Sequence, residues 1–314
     1  MAQLIKIQDY ISRYERDLYH YSSQFIQLKK QNWEQAKAAF ETGELTRNEF
    51  VNDQETEEEA SASFLTKVKS FFKKDKMEFI DQELLEDDKS NVEKEEETLS
   101  FFITQPQNLH DLKVLFLENV FQLQMRWATS TLFELSHIDR RFMYDGRLKY
   151  FLQSFPDTYL VMYKPVFLLK KAPVEAEIIL IGPTETICIS MIEGKDGSVF
   201  QYSKENFWIE LVGKEKKKVL NPLLGLQRTE QIIKNLYQAN NIERPVRKVI
   251  LSRNGFLDYP VEPYQMEFID KRNYDTWFYE LRRLSAPLKF NQLQAAQVLL
   301  NHSQSIYFDR NENE

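Results

Sequence analysis

Apolar positions early in the chain follow a helical rhythm. Within residues 4–40, Ile7, Ile11, Tyr14, Leu18, Tyr21, Phe25 and Leu28 alternate in steps of four and three, a heptad seam of about three repeats. Aromatic side chains on that seam suit packing against a second helix of the same chain better than a parallel zipper. Residues 109–138 supply the candidate, with Leu112, Leu115, Phe116, Val120, Leu123, Trp127, Leu132 and Leu135. The pattern predicts an antiparallel helical pair, with homodimerisation through the seam as the alternative.

Polar residues dominate between these segments. Residues 53–99 hold sixteen acidic against seven basic side chains. Such runs repel themselves and bury little, so a mobile linker is expected there. Within it, Phe64, Leu65, Val68, Phe71 and Phe72 share one helical face opposite Lys67, Ser70, Lys73 and Lys74. A basic amphipathic segment of this kind packs on its own protein, docks on an acidic partner, or lies on an anionic membrane surface.

Beyond Asp145 the rhythm changes from helical to mixed. Of the eight glycines only Gly43 precedes Gly146, and the later ones fall where turns are expected. Gly146–Phe155 reads as a helix, Thr158–Tyr163 as a strand, and residues 176–192 as two apolar β runs around Gly182-Pro183-Thr184. Shorter strands come next at Ser198–Tyr202 and Phe207–Val212. Asn221-Pro222 opens a helix to about Asn240, Val246–Ser252 is a buried strand, and two helices close the chain. That order predicts a mixed sheet flanked by helices.

Composition narrows the picture further. With 314 residues, 42% hydrophobic and 13% aromatic, the chain has enough apolar mass for a real core. The single cysteine, Cys188, sits in an apolar run and reads as a small buried hydrophobe, which excludes a disulfide framework. No apolar run approaches the ~18 residues of a spanning helix, and the N-terminus lacks a secretory pattern, so a cytoplasmic protein is expected. The net charge of −7 resides in the acidic linker and says little about partners. His20, His110, His137 and His302 are scattered without metal-ligand spacing.

The hairpin segment Ala176-Glu-Ile-Ile-Leu-Ile-Gly-Pro-Thr resembles the core of the nuclease-related domain (NERD) family, a branch of the PD-(D/E)xK nuclease superfamily. Pro156-Asp-Thr-Tyr-Leu-Val, Phe207-Trp208, Asn221-Pro-Leu and Pro245-Val-Arg-Lys-Val-Ile-Leu carry the same resemblance. It covers residues 145–255 and implies a restriction-endonuclease-like fold. It also implies a set of functional positions, most of which depart here from the family's chemistry. The family's opening Gly-Glu is Gly146-Arg147, its first-strand Asp falls on Glu177, its Glu-x-Lys falls on Ser190 and Ile192, and its Asn-Pro-x-x-Gln ends at Gly225. Cleavage of this class needs carboxylates that hold Mg²⁺, and the metal in turn activates the attacking water. One carboxylate with an arginine, a serine and an isoleucine does not make that site. An arginine at 147 is expected to occupy the cation's place with its own charge.

The expected fold is therefore α+β: an N-terminal helical region followed by a restriction-endonuclease-like mixed β-sheet flanked by helices. Its parts are a long helix over 1–52, an acidic linker over 53–99, a partner helix over 100–144, a NERD-like domain over 145–255, and a helical extension over 256–314. The expected role is a catalytically inactive module that binds a protein or a nucleic acid, with no metal and no cofactor. A working Mg²⁺-dependent nuclease using Glu177, Glu193 and Lys195 is the alternative. An odd offset of three residues from Ser190 turns Glu193 to the opposite face of its strand unless a β-bulge intervenes. A peripheral membrane adaptor using Phe64–Lys74 is the second alternative. Lys214, Lys216, Lys217 and Lys218, with Arg228 on the following helix, are the candidates for phosphate contact, and the same lysines also suit a charged turn held in solution.

Overall fold

The chain opens on a strand where a helix was expected. The computed structural model describes residues 1–42, 106–169, 172–259, 266–284 and 286–309. The linker 53–99 and its amphipathic segment lie outside the described residues. Two compact units make up the chain: Met1–Lys30 with Val120–Glu314, and Gln31–Asn119.

In chain order the elements are β1 (Gln3–Ile7), α1 (Arg13–Arg16), α2 (Leu18–Glu41), α3 (Leu109–Trp127), β2 (Glu134–Leu135), α4 (Gly146–Ser154), β3 (Leu160–Tyr163), β4 (Val166–Leu169) and β5 (Ala172–Glu175). They continue as β6 (Ile178–Ile181), β7 (Thr186–Met191), β8 (Val199–Gln201), β9 (Phe207–Val212), β10 (Glu215–Leu220), α5 (Pro222–Ala239), β11 (Val246–Leu251), β12 (Phe256–Asp258), β13 (Met266–Ile269), α6 (Tyr274–Arg283), α7 (Phe290–Asn301) and β14 (Phe308–Asp309).

A mixed six-stranded sheet in the order β1-β3-β6-β7-β11-β13 forms the centre of the first unit. The α+β class with helices flanking a mixed sheet is thus observed. Two boundaries differ from expectation. Residues 3–7 are not part of a long helix: β1 runs parallel to β3, with Gln3 opposite Leu160 and Ile7 opposite Tyr163. At the other end, β13 pairs with β11, so the sheet extends past residue 255 and the C-terminal stretch is not purely a helical extension.

The physical reason for the first departure is legible in the residues. Ser12 and Glu15 form a capping box, in which the Ser12 side chain accepts from Tyr14 N and Glu15 Oε1 accepts from Ser12 N. Helix therefore starts at residue 13. Lys6, which gives β1 its amphipathic look, is buried and donates to Glu15 Oε1 at 2.6 Å, Tyr10 O at 2.8 Å and Ser305 Oγ at 2.5 Å. Burial pushes its pKa down, and Glu15 counters that shift.

Helix α3 also ends earlier than expected, at Trp127. Thr129 Oγ1 donates to Met125 O and Ser130 Oγ to Arg126 O, so hydroxyls occupy the last carbonyls and compete with further turns. In the first unit Tyr21 and Phe25 meet Trp127 edge-on, with centroids 5.5 and 6.3 Å away. In the second unit Trp33 packs on Phe116 at 5.1 Å. Early residues of α2 thus meet late residues of α3, the sense of an antiparallel pair. Ile7, Ile11, Tyr14, Leu18 and Phe25 of the expected seam are buried inside their own unit.

Strands β6 and β7 are buried almost throughout, as central strands with helices on both faces must be. One face of the sheet carries Val161, Ile178, Leu180, Ile187, Ile189, Val249 and Leu251. They pack with Leu148, Phe151 and Leu152 of α4 and Trp277 and Leu281 of α6. The opposite face meets α5, which lies on β7 and β11, and α7, which lies on β6.

A second sheet, in the order β10-β9-β8-β12, contains the lysine run. Of residues 214–218 only Lys214 lies in the turn, beside Gly213, whose φ of 58° suits glycine. Lys216, Lys217 and Lys218 lie on β10, paired antiparallel with β9.

Candidate functional site

The Gly182-Pro183-Thr184-Glu185 connection is built for close packing. A Cβ at Gly182 would sit 2.7 Å from the Tyr159 ring, and Gly182 N donates to Glu185 O at 2.9 Å. Arg244 ties the turn from outside, donating to Gly182 O, to Glu185 O at 2.8 Å and to Thr186 Oγ1 at 3.0 Å. The hairpin it closes is antiparallel, with Ile178 opposite Ile189 and Ile181 opposite Thr186. Continued by one pair, that register sets Glu177 across from Ser190.

Alternation then sorts the side chains by face. On β7 the odd residues Ile187 and Ile189 join the α4 and α6 core. The even ones look to α5: Thr186 shares a 2.8 Å hydrogen bond with Tyr237 of that helix. Ser190 is even and stands on the Glu177 side, where its hydroxyl favours the ionised carboxylate. Glu177 also donates its backbone N–H to Thr229 Oγ1 at 2.8 Å, and Thr229 Oγ1 donates to Gly225 O at 2.9 Å.

Gly225 completes this corner by what it lacks. A Cβ there would stand 2.2 Å from Glu177 Oε1, so the missing side chain is what admits the carboxylate beneath α5. The helix is set in place by Asn221, whose Oδ1 accepts from Leu223 N at 3.0 Å while Nδ2 donates to Glu205 O at 2.7 Å. Pro222 stands at its first turn, where no amide is needed. Glu177, Ser190 and Gly225, three of the positions singled out in the sequence, are therefore brought together, with Ile192 buried two residues further along the same strand face.

Burial raises the Glu177 pKa above its ordinary value, and Glu175 adds to the rise; Lys164, the Ser190 hydroxyl and Arg228 pull in the opposite direction. Lys164 is the residue that sequence reasoning missed. The β3–β6 register, Met162 opposite Ile179, places it across from Glu177 when continued by two pairs. Its φ of 49° is unusual for a residue with a side chain. Register arithmetic on the strand boundaries is the signal that finds it. Arg228, named as a phosphate candidate, is exposed on α5 and acts on Glu177.

Arg147 and Glu193 are elsewhere. Arg147 was expected beside Glu177, yet its Nε lies 3.4 Å from Glu193 Oε2. Its helix α4 packs on the odd-numbered face of β7, the face to which the offset of three sends Glu193. Arg253 Nε donates to Glu193 Oε1 at 2.7 Å, and its guanidinium lies 4.1 Å above the Tyr150 ring. Asp145 caps α4 and accepts from Tyr163 Oη at 2.7 Å. Burial and that hydrogen bond raise the Tyr163 pKa. Lys195 is 73% exposed and sits 3.9 Å from Glu215, at the turn where Gly197 has φ 78°. Glu193 and Lys195 thus do not join Glu177.

Among the described residues no group of three or more His, Cys, Asp or Glu side chains could hold a metal ion. Cys188 is buried, and burial raises its thiol pKa. An open pocket of about 360 Å³ lies at the far end of α5, lined by Lys234, Tyr237, Gln238, Arg244 and Val246 among others. Among the described residues no helix is long and apolar enough to cross a membrane.

The fold and this corner define a mixed α+β protein with one desolvated carboxylate under a helix. Comparison with known proteins adds one short likeness. A 41-residue stretch is 63% identical to a Geobacillus stearothermophilus protein named RNA 2',3'-cyclic phosphodiesterase, and it covers 13% of this chain and 13% of that protein. No protein-family model matches the chain, and no solved structure does.

Proposed function

We propose that the chain carries a restriction-endonuclease-like scaffold of the NERD type without its hydrolytic chemistry, and that it acts as a module binding a protein or a nucleic acid. The observation behind this reading is the separation of Glu177 from Glu193. Glu177 has Ser190, Gly225 and buried Ile192 around it, where the resembled family has a second carboxylate, a glutamine and a lysine. Glu193, the carboxylate of the alternative site, answers to Arg147 and Arg253 on the other face. Mg²⁺ needs several oxygen ligands converging on one point, and two carboxylates on opposite faces of a strand do not supply them.

The test is a cleavage assay of the full chain on single- and double-stranded DNA and on RNA, with Mg²⁺ or Mn²⁺. No cleavage above a mock preparation is expected. Metal-dependent cleavage lost in both Glu177→Ala and Glu193→Ala would overturn the reading in favour of a working nuclease. The 41-residue likeness motivates a second reading as a phosphodiesterase acting on RNA 2',3'-cyclic phosphates. An oligoribonucleotide ending in a 2',3'-cyclic phosphate therefore belongs in the same assay, with and without metal, and conversion of that end would establish the second reading.

A further inference from the structure

Strand β10 is the exposed edge of its sheet. Of its six residues, Glu215, Lys216, Lys217, Lys218 and Leu220 are exposed and Val219 is half-buried. It is the last strand of its sheet, and among the described residues no strand pairs with its outer side. The register sets Lys218 opposite Ile209 and Leu220 opposite Phe207. Leu220 is 68% exposed, Phe207 48% and Ile209 36%. Lys216, Lys218 and Leu220 thus share one open face with Phe207 and Ile209, while Trp208 and Glu210 of β9 turn inward.

We infer that β10 is a docking edge for an extended acidic segment of a partner protein, which adds as a fifth strand beside Lys216–Leu220. A free edge offers main-chain donors and acceptors that only another strand matches. Charge complementarity identifies the occupant. Acidic side chains at alternate positions would stand across from Lys216 and Lys218, and an apolar one across from Leu220. Edge lysines also discourage a second copy, because pairing two β10 strands about their middle sets lysine against lysine. They repel self-association and attract an acidic strand. Nucleic acid fits less well: the exposed apolar neighbours include aliphatic Ile209 and Leu220, whereas single strands are held by stacking on aromatic rings.

The inference names a partner class for the binding role proposed above, on a surface separate from Glu177, and it stands whether or not the chain hydrolyses anything. The experiment titrates the full chain into a fluorescein-labelled peptide with glutamate at the two positions across from Lys216 and Lys218 and valine elsewhere, read by anisotropy. Three parallel probes are the same peptide with alternate backbone amides N-methylated, a peptide with lysine in place of glutamate, and an oligothymidylate. Saturable binding of the first peptide is expected, weakening with salt and falling about tenfold or more in Lys216→Glu/Lys218→Glu. Lys216→Gln/Lys218→Gln should fall less, with unchanged circular dichroism in both variants. No saturable binding overturns the inference, as does binding indifferent to the lysine variants or equal for the N-methylated peptide. Oligothymidylate binding that depends on Lys216 and Lys218, without peptide binding, replaces the occupant with nucleic acid. None of these outcomes bears on the cleavage assay, so the two readings fail separately.

Discussion

Glu177 and Glu193 stand within reach of the same strand, yet their surroundings could hardly differ more. Glu177 is desolvated beneath α5, with Lys164, the Ser190 hydroxyl and Arg228 favouring its charged form and Glu175 opposing it. Glu193 is clamped by Arg147 and Arg253 and lies outside α5 altogether. Its offset of three residues from Ser190 puts a whole sheet between the two carboxylates. What the pair teaches is that chemistry on a strand is decided by parity before residue type. A Glu-x-Lys string on the opposite face does not meet the carboxylate it was expected to join.

The largest expected effect comes from placing at position 192 the lysine that the NERD resemblance implies. Ile192→Lys puts an ammonium at a buried position on the Glu177 face and should destabilise the fold by about 3 kcal/mol, measured by denaturant unfolding. Adding Ser190→Glu supplies a neighbour of opposite charge and should recover part of that loss. Recovery by a change on the other face instead would break the parity argument.

Gly225→Ala comes next. Its Cβ would press on Glu177 Oε1, an overpacking expected to cost about 1–3 kcal/mol. Glu177→Ala in the same chain removes the obstruction, so the double variant should be more stable than Gly225→Ala alone. Additive losses would mean that the two residues do not touch.

Smaller still is Glu193→Gln, which weakens ion pairs to arginines whose side chains are 40% and 30% exposed. With solvent screening the loss should be about 1 kcal/mol or less. The effects of Glu193→Gln and Glu177→Gln should simply add, because the groups share no partner.

Glu177→Gln has the smallest effect and a distinctive pH dependence. The folded pKa of Glu177 is raised above its ordinary 4.5. Its protonated form is thus favoured by folding, and the stability this gives is present below the unfolded pKa and lost as pH rises through the folded one. Glu177→Gln should therefore gain stability relative to the natural chain at neutral pH, and the gain should vanish near pH 4. Denaturant midpoints at the two pH values check it, and a gain that grows on acidification would reverse the sign of the argument.

Much of this was legible before the structure. The β6–β7 hairpin stood out because two apolar runs flank a Gly-Pro turn, and parity alone sent Glu193 away from Ser190. Other parts were not legible, for physical reasons. The partners that let Lys6 sit inside the sheet include Ser305, at the far end of the chain, so β1 read as one turn of an amphipathic helix. The capping box at Ser12 and Glu15 was the local clue to that error. Arg147 and Lys164 could not be exchanged by inspection either, since the first depends on which face α4 covers and the second on a register spanning two strands. The lysines of β10 read as a turn because strand propensity is weak evidence against four consecutive charges.

The central proposal is that Glu177 holds no divalent metal ion, since among the described residues no group of three or more His, Cys, Asp or Glu side chains could hold one. Mn²⁺ titration calorimetry on the natural chain and on Glu177→Ala tests it most directly. The account predicts indistinguishable heats for the two, with no saturable site that depends on Glu177. A one-site isotherm in the natural chain that disappears in Glu177→Ala would contradict it.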